Sequence, residues 1–175
     1  MRVPNVIGDW QECEEAHAGL RVRVHGVERA EPPRGRDEAA EGLVYFRFRV
    51  TVENRTGAVH GVHLEDGQID VRAGDDGEGA LLDWRNSQFV EGFDLYPLRR
   101  VTAVVYAAAA DAGLGRLDIQ VQPRTDDDWG RRYLWAGAVD APAGAWGPGG
   151  GDTAGEGLAG QISRFLGHEA EQGPG

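Results

Sequence analysis

His60 and His63 stand three residues apart, with Glu65 and Asp66 close behind. Two imidazoles with carboxylate oxygens nearby are the donor set of a divalent-metal site. The local pattern supplies no third fixed ligand, and Thr56-Gly57-Ala58-Val59-His60-Gly61 is rich in turn formers. The expectation is therefore a pair of solvated loop histidines, with His60 and His63 kept as weak metal candidates. The acidic runs Asp75-Asp76 and Asp126-Asp127-Asp128 offer oxygens of the kind Ca²⁺ collects, but neither follows EF-hand spacing. Nucleophiles are scarce. Ser87 and Ser163 are the only serines, and neither lies in a Gly-x-Ser-x-Gly setting. Cys13 stands between Glu12 and Glu14, whose charges oppose thiolate formation, so it is expected as an inert strand residue. No catalytic residue and no cofactor is assigned.

Composition narrows the field further. The formal charge is −11, which disfavours a phosphate backbone and anionic lipid alike, so neither nucleic acid nor membrane insertion is expected. All 18 basic residues are arginine, which removes every mechanism that needs a lysine, Schiff bases and P-loop phosphate binding among them. With a single cysteine the 175-residue chain cannot be a disulfide framework, and its stability must come from burial. The first residues contain no apolar run of signal-peptide length, so the expected location is cytoplasmic as written, or exported if a leader has been removed.

The elements that hold these residues are read from period-two alternation. Leu20, Val22 and Val24 share one side of an extended segment, with Arg21, Arg23 and His25 on the other. From Leu43 to Val52 the pattern is clearer: Val44, Phe46, Phe48, Val50 and Val52 face one way, Tyr45, Arg47, Arg49 and Thr51 the other. Further strands are expected at 68–72, 100–107, 116–122 and 132–139. In the segment 100–107 both faces carry apolar side chains, Val101, Ala103 and Val105 opposing Val104 and Tyr106, which suggests a covered central strand; Ala107 to Ala110 has a helical turn as its alternative. Strands without long helical segments between them point to antiparallel sheets, a sandwich being favoured over a closed barrel. The loops 31–42 and 74–79 are expected to be exposed and mobile. Trp10, Trp84, Trp129 and Trp135 are expected chiefly as core. Asn54-Arg55-Thr56 fits the N-glycosylation pattern, which carries no weight alone.

The sandwich is expected to occupy residues 1–139. A Gly- and Pro-rich linker follows over 140–157, then an amphipathic helix over 158–170 and a disordered end at 171–175. Thr153 and Glu156 have capping-box spacing, and Leu158, Ile162, Phe165 and Leu166 fall on one helical face. With Trp146 in the linker, these residues form the candidate partner-binding set.

Ile7-Gly8-Asp9, the alternating segment Leu20 to Val27, and Val44 through Thr51-Val52-Glu53-Asn54 resemble a family of immunoglobulin-like domains of unknown function, common in exported and lipid-anchored proteins of Gram-positive bacteria. The family pattern has an early I-G-D, a strand of alternating valines, and a strand ending T-V-x-N. The resemblance spans roughly residues 6–139. It implies an all-β, antiparallel immunoglobulin-like sandwich used as an accessory module, with no catalytic residues to carry over.

The function expected from these readings is non-enzymatic binding of another protein, or a structural accessory role, with the C-terminal helix docking on a partner or folding back on the sandwich. The alternatives are a metal-dependent site gathered from His60, His63 and Asp126 to Asp128, and a small-molecule or glycan binder using Trp84 or Trp129 as a stacking platform.

Overall fold

In the computed structural model, which describes residues 3–36 and 38–140, the alternating segment becomes the strand Val44–Asn54, paired on both sides. Phe46, Phe48, Val50 and Val52 are fully buried on one face, as alternation requires. In chain order the strands are β1 (Asn5–Val6), β2 (Trp10–Glu12), β3 (Leu20–Arg29), β4 (Val44–Asn54), β5 (His60–Leu64), β6 (Ile69–Ala73), β7 (Glu78–Gly79), β8 (Leu81–Leu82), β9 (Val90–Leu95), β10 (Arg100–Ala109), β11 (Leu117–Val121), β12 (Arg124–Thr125) and β13 (Tyr133–Gly137). The linker and helix expected beyond Asp140, the end at 171–175, and the candidates Trp146, Leu158, Ile162, Phe165 and Leu166 lie outside the described residues.

One five-stranded sheet has the order β1-β13-β11-β6-β7, a second β2-β3-β4-β10-β8, and a three-stranded sheet β12-β5-β9 joins them. Every pairing is antiparallel except β1 with β13. All three sheets feed one core, in which Val22, Val24, Phe48 and Val50 of one sheet meet Ile119, Val121 and Trp135 of another, with Val62, Leu64 and Leu95 from the third. The fold is an all-β sandwich, and no helix among the described residues is long and apolar enough to cross a membrane.

The early Ile-Gly-Asp triplet is where the chain passes between sheets. Ile7, buried, takes its backbone N–H to Ala136 of β13 at 3.2 Å, while Gly8 donates to Val24 of β3 at 2.7 Å. Between them the chain must turn sharply, and Gly8 does so at φ +107°, a left-handed region costly for a residue with a Cβ. The Trp135 indole N–H donates to the Asp9 carbonyl at 2.9 Å and fixes the far side of the turn.

The terminal Asn54 of β4 is a second fixed point. Its amide donates to the Ala58 and Leu95 carbonyls at 2.7 and 2.9 Å, and its carbonyl accepts from the Thr56 backbone and hydroxyl at 2.9 and 2.7 Å. It is fully buried, so the glycosylation pattern is closed to a folded chain. Asn54→Ala removes all four of these hydrogen bonds from a buried site and is expected to cost about 3 kcal/mol. Urea melts would measure it; a loss below about 1 kcal/mol would remove this role.

Several expectations are corrected. Ala107 to Ala109 extend β10, and the helical turn begins only at Asp111–Gly113. The 74–79 loop is exposed at Asp75, Asp76, Glu78 and Gly79 as expected, but it also closes a hairpin, because Glu78 and Gly79 pair with Ala73 and Arg72. Ala40 of the 31–42 loop is buried against Tyr45 and Ala108. Of the four tryptophans expected in the core, only Trp135 is fully buried; Trp84 is 36% exposed and Trp129 54%.

Candidate binding face

Because residues paired across neighbouring strands point to the same side, the registers lay out the outer face of the β2-β3-β4-β10-β8 sheet in rows. One row runs Trp10, Arg23, Thr51, Thr102; the next runs Glu12, Arg21, Glu53, Arg100; a third sets His25 beside Arg49 and Val104. The alternation that sends Val22, Val24, Val50 and Val52 inward thus stacks arginines outward from adjacent strands.

At one end, Arg21 grips Glu53 with both Nε and Nη2, each 2.6 Å from the same carboxylate oxygen, and Arg100 approaches that oxygen at 3.6 Å. The Trp10 ring lies within cation–π range of three guanidiniums, at 4.2 Å from Arg21, 5.5 Å from Arg100 and 5.6 Å from Arg23.

Arg23 is the unusual member. Expected on the solvent side of its strand, it is only 6% exposed, and its Nε and Nη2 are buried without a hydrogen-bond partner. Among the described residues no carboxylate lies within ion-pair distance of it. Burial first, then the charges of Arg100 and Arg21, lowers its pKa, with Asp9 opposing them. A guanidinium remains charged at neutral pH even so, and withdrawing an unpaired charge from water costs about several kcal/mol.

His25, next to it on the same face, is buried too. Its Nε2 lies 2.8 Å from the Thr51 hydroxyl, which lies 2.8 Å from that of Thr102, while Nδ1 has no partner. Burial, followed by the charges of Arg23, Arg49 and Arg100, pushes its pKa down to about 3. The imidazole is neutral at physiological pH, so the positive charge of this face belongs to arginine.

The histidines singled out for metal binding lie on β5, not in a loop. Side chains three apart on a strand point to opposite faces, so His60 and His63 cannot share an ion. His60 meets the Thr56 hydroxyl at 3.0 Å. His63 is held at both ring nitrogens: Nε2 lies 2.6 Å from Asp126, and Nδ1 accepts the Gly92 N–H at 3.1 Å, with Glu65 at 3.8 Å on that side. The contact from Gly92 arises because Glu91 and Gly92 of β9 oppose the single His63 in a bulge, with Gly92 left-handed at φ +57°. The two carboxylates flank opposite edges of the ring and do not converge, and no group of three metal-binding side chains occurs among the described residues. Asp75 pairs with Arg116 at 3.1 Å.

Cys13 follows β2 and is buried. Burial first, then Glu12 and Glu14, pushes its thiol up to about 12. The folded protein is therefore expected to resist a disulfide reagent at mildly alkaline pH and to react fully once denatured; rapid labelling of the native state would contradict this.

Trp84 packs against Phe89 at 4.8 Å between ring centroids and helps line an open cleft of about 540 Å³ with Arg36, Glu38, Asp83 and Arg85. Trp129 lies beneath the Arg124 guanidinium at 5.0 Å.

Sequence reasoning assigned Arg21, Arg23, Arg47 and Arg49 to polar sides of strands without combining them. The signal was present: two strands of the same alternation, each with basic residues at successive outward positions. Trp10, expected chiefly as core, lies on β2, whose three residues are too few to carry a period of their own.

The sheets and their connections define the class as an antiparallel β-sandwich with a basic outer face. No protein-family model and no curated protein matches the sequence. Among solved structures, the chain is similar to the yjhA protein of Bacillus subtilis, with a TM-score of 0.53 and 16% identity over 78% of this chain and 99% of that one. It is also similar to ycdA, a candidate lipoprotein of Bacillus subtilis, with a TM-score of 0.51 and 12% identity over 70% of this chain. The match spans 37% of the length of ycdA. At these identities the likeness is one of fold.

Proposed function

We propose that the chain is a non-enzymatic accessory module that binds another protein through the outer face of the β2-β3-β4-β10-β8 sheet. The observation that carries this reading is Arg23, a nearly buried guanidinium with two unpaired donors beneath Trp10 on a face shared with Arg21 and Arg100. Unpaired buried donors are uncommon in native proteins, and arginine with tryptophan is the composition of interface hot spots. The apolar spacing of Leu158, Ile162, Phe165 and Leu166 supports a second contact from the tail.

Affinity purification from the native host tests this with three full-length baits: wild type, Arg100→Glu and Phe165→Asp. Arg100 is about half exposed, so its reversal leaves the fold intact. A protein recovered in stoichiometric amount by wild type and depleted by Arg100→Glu is the expected result. Equal recovery by all three baits, or none by wild type, would overturn the reading.

The cleft beside Trp84 favours a second reading, a small-molecule or glycan site with the indole as stacking platform. Saturable quenching of tryptophan fluorescence by an oligosaccharide, lost in Trp84→Ala, would support it.

A further inference from the structure

We infer that Arg23 receives a carboxylate side chain from an acidic segment of the partner, held by two parallel N–H donors of its guanidinium. The inference rests on the preceding reading that this face meets a partner, and it names the chemistry recognised there.

The geometry selects the group. Nε and Nη2 form one edge of a guanidinium, the edge that matches the two oxygens of a carboxylate, and in Arg23 both are unpaired. Arg21, two residues away on the same face, presents the same pair of atoms to Glu53. This face therefore already holds one carboxylate by that edge of a guanidinium, there through the single oxygen Oε2 of Glu53. Arg100 and Arg21 lower the energy of a second anion, because each raises the local positive potential that destabilises Arg23 alone.

The extent of the face selects a peptide. The basic side chains and Trp10 span β2, β3, β4 and β10, four adjacent strands and so roughly 14 Å, which an extended segment of about four residues covers. A short acidic segment feels the arginines within a Debye length of about 8 Å, whereas a long polyphosphate or an anionic membrane feels the whole charge of −11. Access requires a side chain above Arg23 to rotate. Trp10, on a three-residue edge strand, and the half-exposed Arg100 are placed to do so.

The test follows the arginine Nε–H resonances of the full-length protein by ¹⁵N–¹H correlation during titration with hexaglutamate, hexaglutamine and inorganic phosphate. Hexaglutamate is expected to move the Arg23 signal downfield saturably, and to bind at least about tenfold more tightly than hexaglutamine. Arg23→Lys keeps the charge, loses the two-pronged edge, and is expected to weaken hexaglutamate about tenfold. The wild-type signal decides the matter should that variant fail to fold.

An Arg23 resonance that stays still at saturating hexaglutamate overturns the inference, as does phosphate shifting it equally at equal concentration. Movement without peptide when Asp152, Glu156, Glu169 and Glu171 are changed to their amides would overturn it in favour of this chain's own tail. If the resonance is unmoved while Arg100→Glu still depletes a captured protein, the carboxylate assignment falls and the binding reading stands. If hexaglutamate binds as expected but no partner is captured, the assignment stands and the binding reading falls.

Discussion

Val50→Asp is expected to abolish the cooperative thermal transition. Val50 is fully buried on β4, between Val24 of β3 and Ala103 of β10. The substitution forfeits about 2 kcal/mol of apolar burial and sets an unpaired carboxylate among hydrocarbons, at a further cost of about several kcal/mol whether it stays charged or takes up a proton. The sum approaches the whole stability of an ordinary domain, roughly 5–15 kcal/mol. Circular dichroism on heating measures it, and a wild-type-like melt would mean the interior of the sandwich is elsewhere.

Acidification is the second large effect. An unfolded His25 takes up a proton near pH 6.5, whereas in the folded protein it does so only near pH 3. Below pH 6.5 the unfolded chain therefore binds more protons than the native one. Its contribution is complete above that pH and is lost progressively as pH falls towards 3, at about 1.4 kcal/mol per pH unit. His17 adds to the loss in the same direction, since burial lowers its pKa against the opposing pull of Asp128. Its Nε2 lies 3.1 Å from the Thr125 hydroxyl, and Nδ1 is buried without a partner. Urea unfolding across a pH series is expected to show a shallower decline for His25→Gln than for wild type. Superimposable profiles would mean that the imidazole is already protonated in the native state, or solvated.

The centre of each long strand was legible because burial on one face writes itself into alternate letters. Val22, Val24, Phe48, Val50, Val101, Val105, Ile119 and Val121 all lie inward as the pattern requires. β5 escaped because Gly57 and Gly61 resemble turn residues, although Val62 and Leu64 carry the alternation and would have put His60 and His63 on opposite sides. β1, β7, β8 and β12 are two residues long, too short for any periodicity. The arginine face was half legible. Parity assigns Arg21, Arg23 and His25 to one side of β3, but the burial of Arg23 and His25 depends on neighbours from β2, β4 and β10, whose registers no single segment records. Polar spacing on one strand reads as solvent exposure, whereas here side chains from adjacent strands cover one another.

The chain crosses from one five-stranded sheet to the other at both borders, through β1 and β2 on one side and β7 and β8 on the other, so these margins end in strands of two or three residues. β9, the long margin of the smaller sheet, carries Glu91, Asp94 and a bulge at Gly92. Such borders give an incoming strand almost no run of main-chain groups to extend, which protects the protein against fibril-like polymerisation at high concentration. A partner of the kind proposed would accordingly be met by side chains standing on a sheet, not by a strand added to it.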